Sequence, residues 1–149
     1  MSADLSLYID SSSLLKMLWQ EPESTAVRDA VAAEARVVVS SLTELETEVQ
    51  LRAQWLGGAY TKKRYETYRV KLESLKRLEP FAFQDLPGGV FRRAIQQHVS
   101  EAKFHCRSLD RLHLAAMGEL GVRRLLTNDH KQAATARSFG YEVLLPAEE

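Results

Sequence analysis

Short apolar segments alternate with helical patterns along this chain, and that alternation restricts the fold more than any other feature. Leu5 to Ile9 is apolar and ends at Asp10; Ser11, Ser12 and Ser13 follow, then Leu14, Leu15 and Leu18 at helical spacing. This order predicts a strand, a polar turn and a helix. Pro22 breaks that helix, and a second is expected from about Glu23 to Glu34 with Val27, Ala30 and Val31 inward. Arg36 to Ser40 carries three consecutive valines, the pattern of a strand buried on both faces. Leu42, Leu45, Val49, Ala53 and Leu56 form an inward helical stripe, closed by Gly57 and Gly58. A helix over Tyr60 to Leu78 follows, with Tyr65, Tyr68, Leu72 and Leu75 inward. Pro80 to Phe83 reads as a strand, and Pro87 to Ala102 as a helix through Phe91, Ile95 and Val99. Leu109, Leu112, Ala116 and Leu120 give a further stripe, stopped by Gly121. A strand from Arg124 to Thr127, a helix from Asp129 to Phe139 and a strand from Tyr141 to Leu145 complete the order. The whole of 1–149 is expected to be one α/β domain, a mainly parallel sheet with helices on both sides. Ligands of such sheets bind at the carboxyl ends of the strands.

Composition narrows the function classes. The chain is 45% hydrophobic and 27% charged, as in ordinary globular proteins, and has no apolar run of membrane-spanning length. The acidic, weakly apolar start from Met1 to Asp10 does not read as a signal peptide, and a single cysteine, Cys106, excludes an intramolecular disulfide framework. The expected location is the cytoplasm. Twenty basic residues balance twenty acidic ones, which excludes a globally basic nucleic-acid binder but not a local basic surface. Lys62 to Arg77 holds seven basic residues against Glu66 and Glu73, either a solvated helix face or a phosphate-contacting one.

The polar residues at strand ends carry the chemistry. Asp10 ends the first strand, the second leads into Ser40-Ser41-Leu42-Thr43-Glu44-Leu45-Glu46, and Thr127-Asn128-Asp129 follows the fourth. Asp110 opens an otherwise apolar helix. Each acid also has a structural explanation: Asp10 could satisfy turn amides, Asp110 could favour the positive end of its helix with Ser108 as cap, and Asp129 could cap its own helix. Together, four carboxylates at one sheet edge repel one another and call for opposite charge. Only Lys131 lies close in sequence to Asp129, so a divalent cation of the Mg²⁺ or Mn²⁺ type is the natural counter-charge. Glu44, Glu46 and Glu48 compete for the glutamate position. Ser41-x-x-Glu44 reads as a capping box, while Glu46 and Glu48 both border the inward stripe, Glu48 one turn further from the strand; Glu46 is the choice.

The stretches Tyr8-Ile9-Asp10-Ser11-Ser12-Ser13-Leu14-Leu15-Lys16, Val39 to Glu46, Arg107 to Ala116 and Leu126-Thr127-Asn128-Asp129 resemble the PIN-domain ribonucleases. Within them, the resemblance is to the VapC toxins of bacterial toxin–antitoxin systems. The run from Ala133 to Pro146 fits the same pattern, and the ordered set covers nearly the whole chain. The resemblance implies a five-stranded sheet in the order 3-2-1-4-5. It implies a catalytic and metal-ligating set of Asp10, Glu46, Asp110 and Asp129, supported by Ser11, Thr127 and Asn128. The family's spacing also selects Glu46. The implied activity is Mg²⁺-dependent endonucleolytic cleavage of RNA, with transfer RNA or the sarcin–ricin loop of 23S ribosomal RNA as substrate classes and inhibition of translation as outcome. Implied partners are a VapB-like antitoxin and a second copy of the chain in a homodimer. Arg52, Lys62, Lys63 and Arg64 are candidates for RNA phosphate contacts. The chain departs from the pattern in its long basic segment at 60–78 and in Asn128, where a further acid could stand.

Other constellations are weaker. His98, His105, His113 and His130 show no paired metal spacing and read as surface or core residues, although His113, one turn after Asp110, could face the site. Cys106 lacks a nucleophile's context. There is no Walker loop or GxGxxG. A haloacid-dehalogenase-like phosphatase with Asp10 as nucleophile would want a second Asp where Ser12 stands. A non-catalytic scaffold that binds RNA or protein is the other alternative.

Overall fold

A computed structural model describes residues 5–100 and 105–146. The elements run β1 (Leu7–Ile9), α1 (Ser11–Leu18), α2 (Ser24–Ala32), β2 (Val37–Ser40), α3 (Ser41–Leu56) and α4 (Lys62–Ser74), which a 3-10 turn (Leu75–Arg77) extends. They continue as β3 (Phe81–Gln84), α5 (Val90–Ser100), α6 (Ser108–Leu120), β4 (Arg124–Leu126), α7 (His130–Ser138) and β5 (Glu142–Leu144). All strand pairs are parallel, in the order β3-β2-β1-β4-β5. This is the expected topology. The part of the predicted α5 that reaches Ala102 lies outside the described residues.

Alternation along the central strands divides the core. Leu7 and Ile9 of β1 and Val37 and Val39 of β2 face α1, α2, α3 and α4, packing with Leu14, Leu18, Val27, Leu51 and Leu72. Tyr8 and Val38, one residue out of phase, face α5, α6 and α7, packing with Val90, Leu114, Met117 and Ala136. Each buried side chain of this size contributes roughly 1.5–3 kcal/mol through removal from water.

Three helical stripes differ from expectation. In α3, Leu45, Val49 and Leu56 are more than half exposed, and the buried line is Thr43, Thr47 and Leu51, beside Leu42. The hydroxyls make this possible: Thr43 Oγ1 donates to the Ile9 carbonyl at 2.9 Å and Thr47 Oγ1 to the Thr43 carbonyl at 2.7 Å. In α5, Phe91, Ile95 and Val99 point outward while Val90 and Ala94 are buried. In α6, Leu109 is half exposed, and Arg111, His113, Leu114, Ala115, Ala116 and Met117 are buried.

Helix starts also correct two expectations. Ser40 rather than Ser41 caps α3, accepting from the Thr43 amide at 3.1 Å. Ser41 instead accepts from the Leu86 amide. Arg107 occupies the cap position of α6 without a side-chain cap bond, and Ser108 is already helical.

Candidate active site

Parallel strands deliver their carboxyl ends to one edge, and the chain leaves β1, β2 and β4 there into helices. A cavity of about 400 Å³ at that edge is lined by Asp10, Glu46, Asp110 and Asp129, with Ser11, Ser12, Gln50, Arg107 and His113. The four acids come from β1–α1, from the second turn of α3, from the first turn of α6 and from the start of α7.

Asp10 is buried and held at both oxygens. Ser12 Oγ donates to Oδ1 at 2.7 Å, the Ser13 amide to the same atom at 3.2 Å, and Thr127 Oγ1 to Oδ2 at 2.5 Å. It therefore caps α1 while facing the cavity. Burial pushes its carboxyl above the ordinary range, against the opposing pull of His113 and the hydroxyl bonds. Thr127 is held in turn by the Asp129 amide at 3.0 Å. Ser12 touches Thr127 at 3.3 Å. Asn128 touches no carboxylate among the described residues; its amides donate to Ser12 Oγ at 3.0 Å and Ser13 Oγ at 2.9 Å and so fix the β4 exit against α1.

Helical rotation sorts the three glutamates. Glu44 pairs with Lys76 at 2.8 Å and Glu48 with Arg69 at 2.9 Å, both toward the α4 side. Glu46 points into the cavity. Ser11 Oγ donates to its Oε1 at 3.2 Å, and His113 Nε2 lies in hydrogen-bond contact with the same oxygen. Burial pushes this carboxyl up, but His113, Ser11 and Arg107 outweigh it and hold the group below the ordinary glutamate range.

His113, which the sequence reads more readily as a surface or core histidine, takes the other alternative and faces the site. It is buried, and its Nδ1 meets the Tyr8 hydroxyl at 2.6 Å. That hydroxyl meets Ser40 Oγ at 2.7 Å. A continuous polar chain thus runs from Glu46 through His113 and Tyr8 to the cap of α3. Burial raises the Tyr8 hydroxyl well above its ordinary value, so it stays protonated. The available signal was position alone: His113 lies three residues after Asp110, on the same helix face. Arg107 was missed from the sequence; its Nε approaches Asp110 Oδ2 at 3.3 Å.

Asp110 and Asp129 are less constrained. Asp129 caps α7, accepting from the Lys131 amide at 2.9 Å and the Gln132 amide at 3.3 Å. Gln132 returns a bond from Nε2 to the Asp110 carbonyl at 3.0 Å, which ties the two helix starts together.

Arg52, Lys62, Lys63 and Arg64 are exposed and do not line the acidic cavity. Arg52 and Lys62 lie over the Trp55 ring, 5.3 and 5.9 Å from its centre. Two basic residues of the 62–77 segment, Arg69 and Lys76, are paired internally to glutamates.

The donor set fits a hard divalent cation in kind, since carboxylates from four elements line one cavity. Among the described residues, no three acidic, histidine or cysteine side chains already stand close enough to cage an ion.

Comparison with known proteins agrees with this architecture. The model of the PIN domain family matches residues 7–138. The chain is 31% identical over 143 residues to Ribonuclease VapC46 of Mycobacterium tuberculosis (strain ATCC 25618 / H37Rv), covering 95% of this chain and 98% of that protein. Among solved structures, FitAcB from Neisseria gonorrhoeae superposes with a TM-score of 0.71 at 19% identity, covering 96% of this chain and 99% of that one. VapBC2 from Rickettsia felis, bound to a DNA fragment from its promoter, gives 0.71 at 12% identity over 94% and 98%. VapC20 of Mycobacterium tuberculosis, a toxin that cleaves the sarcin–ricin loop, gives 0.67 at 13% identity over 86% and 93%. These structural likenesses speak for the fold, and the family match and VapC46 add descent: the chain belongs to the PIN-domain family, among its VapC-type toxin ribonucleases.

Proposed function

We propose that this chain is the toxin of a toxin–antitoxin pair that cleaves a structured RNA endonucleolytically, with Mg²⁺ or Mn²⁺ as cofactor, and so inhibits translation in the cytoplasm. The observation that carries the reading is the convergence of Asp10, Glu46, Asp110 and Asp129 on one cavity at the carboxyl edge of the sheet. Transfer RNA is the favoured substrate, with the sarcin–ricin loop of 23S ribosomal RNA second; VapC20 is described as cutting the latter.

In this reading the four carboxylates hold the cation, which when bound supplies Lewis acidity for phosphodiester hydrolysis. The chain's own residues set the geometry. Ser12 and Thr127 fix the plane of the Asp10 carboxylate. Ser11 and His113 fix Glu46. Arg107 stands beside Asp110, where it can meet a phosphate oxygen. Water attack leaves 5′-phosphate and 3′-hydroxyl ends. Arg52, Lys62, Lys63 and Arg64 remain candidates for remote RNA phosphate contacts.

The partners in this reading are a VapB-like antitoxin and a second copy of the single 1–149 domain. The outward apolar residues Leu45, Val49, Leu56, Phe91, Ile95 and Val99 support partner burial, since exposed apolar side chains in rows mark interaction surfaces.

The test is sequencing of RNA 5′ ends after brief expression of wild type and Asp10→Asn, with Mg²⁺ dependence read on the purified protein. A sharp site made by wild type alone is expected and names the target. Identical end profiles from the two proteins, both folded and free of antitoxin, overturn the reading. A substrate lacking the 2′-hydroxyl at the scissile nucleotide is still cut if water attacks; its resistance, with binding intact, overturns that mechanism.

A further inference from the structure

A second cavity, of about 670 Å³, opens between α5, the start of α6 and the residues just before it. Its floor holds Arg111, whose residue is only 4% exposed. Among the described residues nothing accepts a hydrogen bond from its Nε, Nη1 or Nη2. Its guanidinium carbon lies 5.1 Å from the centre of the Phe139 ring, a contact that positions the cation but satisfies none of its N–H groups. A buried guanidinium without an acceptor is costly, and five donors remain to be used. The other charged or titratable residues lining it are Arg107, His98, His105 and Cys106, with no carboxylate among the described lining residues. Phe91 and Ile95 form an apolar rim and are more than half exposed.

We propose that this cavity is an anchor site for a carboxylate side chain of a protein partner, presented by an amphipathic segment whose apolar residues cover Phe91 and Ile95. Charge complementarity selects an anion. Reach and surroundings select a carboxylate on a protein over an RNA phosphate. A phosphate in RNA is flanked by two riboses and would have to carry its backbone into the cavity, whereas a Glu or Asp side chain reaches inward alone. Protein–nucleic acid interfaces are polar and strongly basic, while this rim is apolar. A planar carboxylate also meets the guanidinium fork with two parallel bonds. The proposal rests on the reading that this chain has a protein partner, and on no property of the acidic cavity. Arg107 lines both cavities, so an occupied anchor site lies directly beside the proposed catalytic one.

The experiment follows the Arg111 Nε–Hε resonance in ¹⁵N-labelled protein. The probes are 4-phenylbutyrate, 4-phenylbutyramide and uridine 5′-monophosphate. A saturable shift with the carboxylate, none with its amide, and loss of the response in Arg111→Met are expected. Free Arg111→Met should melt at the same or a higher temperature than wild type, because it removes an unpaired buried charge, and it should cleave RNA at the wild-type rate. A response to the nucleotide alone assigns the cavity to RNA and overturns the proposal, as does silence toward every probe. A lower melting temperature for Arg111→Met shows an internal partner and also overturns it. So does a Glu101→Gln variant that shifts Arg111 as the carboxylate probe does, since the occupant is then the chain's own acid. A weakened self-association of Arg111→Met in sedimentation assigns the cavity to a second copy and overturns it too. The titration reads out whether or not the wild-type protein cuts RNA, so it fails or succeeds apart from the nuclease assignment.

Discussion

His113 and Arg111 sit two residues apart on α6, both buried, and they meet opposite circumstances. His113 is bonded at both ring nitrogens, to Glu46 and to Tyr8. Arg111, turned toward α5 and α7, has an aromatic ring beside it and no hydrogen-bond acceptor among the described residues. A folded chain ordinarily satisfies its buried polar groups, and unsatisfied ones point to something outside the chain. One side of α6 is therefore satisfied by the fold itself, and on the other no described residue supplies the acceptor, which is the ground for the proposed anchor site.

The contrast is sharpest where the satisfied side serves the acids. Asp10→Asn should reduce RNA cleavage by at least about 100-fold, beyond the roughly 10–100-fold typical of residues that only support metal ligands. Its melting temperature should hold or rise at neutral pH, because the variant removes a buried charge. Scanning calorimetry beside a cleavage assay checks both. His113→Ala strips Glu46 and the Tyr8 hydroxyl of a partner and opens a cavity. It should cost about 2–4 kcal/mol in urea unfolding and about 10–100-fold in cleavage. A wild-type rate in this variant would put His113 on the same footing as Arg111. Tyr8→Phe keeps the ring and removes one hydroxyl, for about 1 kcal/mol.

Acid unfolding separates buried Asp10 from half-buried Glu46, because their shifts have opposite signs. Asp10 is raised by burial, so its ionised form weakens the fold; stability is gained as pH falls through its raised value toward the ordinary ~3.9. Glu46 is lowered, so its contribution is present above the ordinary ~4.3 and is lost as pH falls through its lowered value. Urea midpoints from pH 3 to 7 in chelator should lose the acid-side gain in Asp10→Asn and the acid-side loss in Glu46→Gln. The smallest effect belongs to Glu48→Gln, whose pair with Arg69 is largely exposed: up to about 1 kcal/mol and no change in cleavage.

The strand–helix order, and with it the sheet edge that gathers the acids, was legible because β1 and β2 are short apolar runs ending in polar residues. The outward rows of α3 and α5 were not. Leu45 and Val49, or Phe91 and Ile95, have the spacing of a core face, and periodicity reports that a face is apolar, not what covers it. The true buried line of α3 contains Thr43 and Thr47, which read as polar until their hydroxyls are seen bonded to backbone carbonyls. Glu46 could be chosen over Glu44 and Glu48 from sequence, but the ion pairs that draw the other two toward α4 depend on a helix packed from elsewhere in the chain. His113 could be placed near the site but not given its bonds, and Arg111 escaped altogether, since their surroundings are set by Tyr8, Glu46 and Phe139, each distant in sequence.

Thr127 reaches Asp10 across 117 residues of chain. Ser12 and the Ser13 amide hold Oδ1 locally, but neither the support of Oδ2 nor Asp129 exists until the chain has been made past β4. A nascent fragment that stops short of β4 carries Asp10 and Glu46 but lacks the hydroxyl that holds the second oxygen of Asp10. For a ribonuclease of this family, that late completion predicts that a fragment ending before β4 is inert, because it lacks both Thr127 and Asp129.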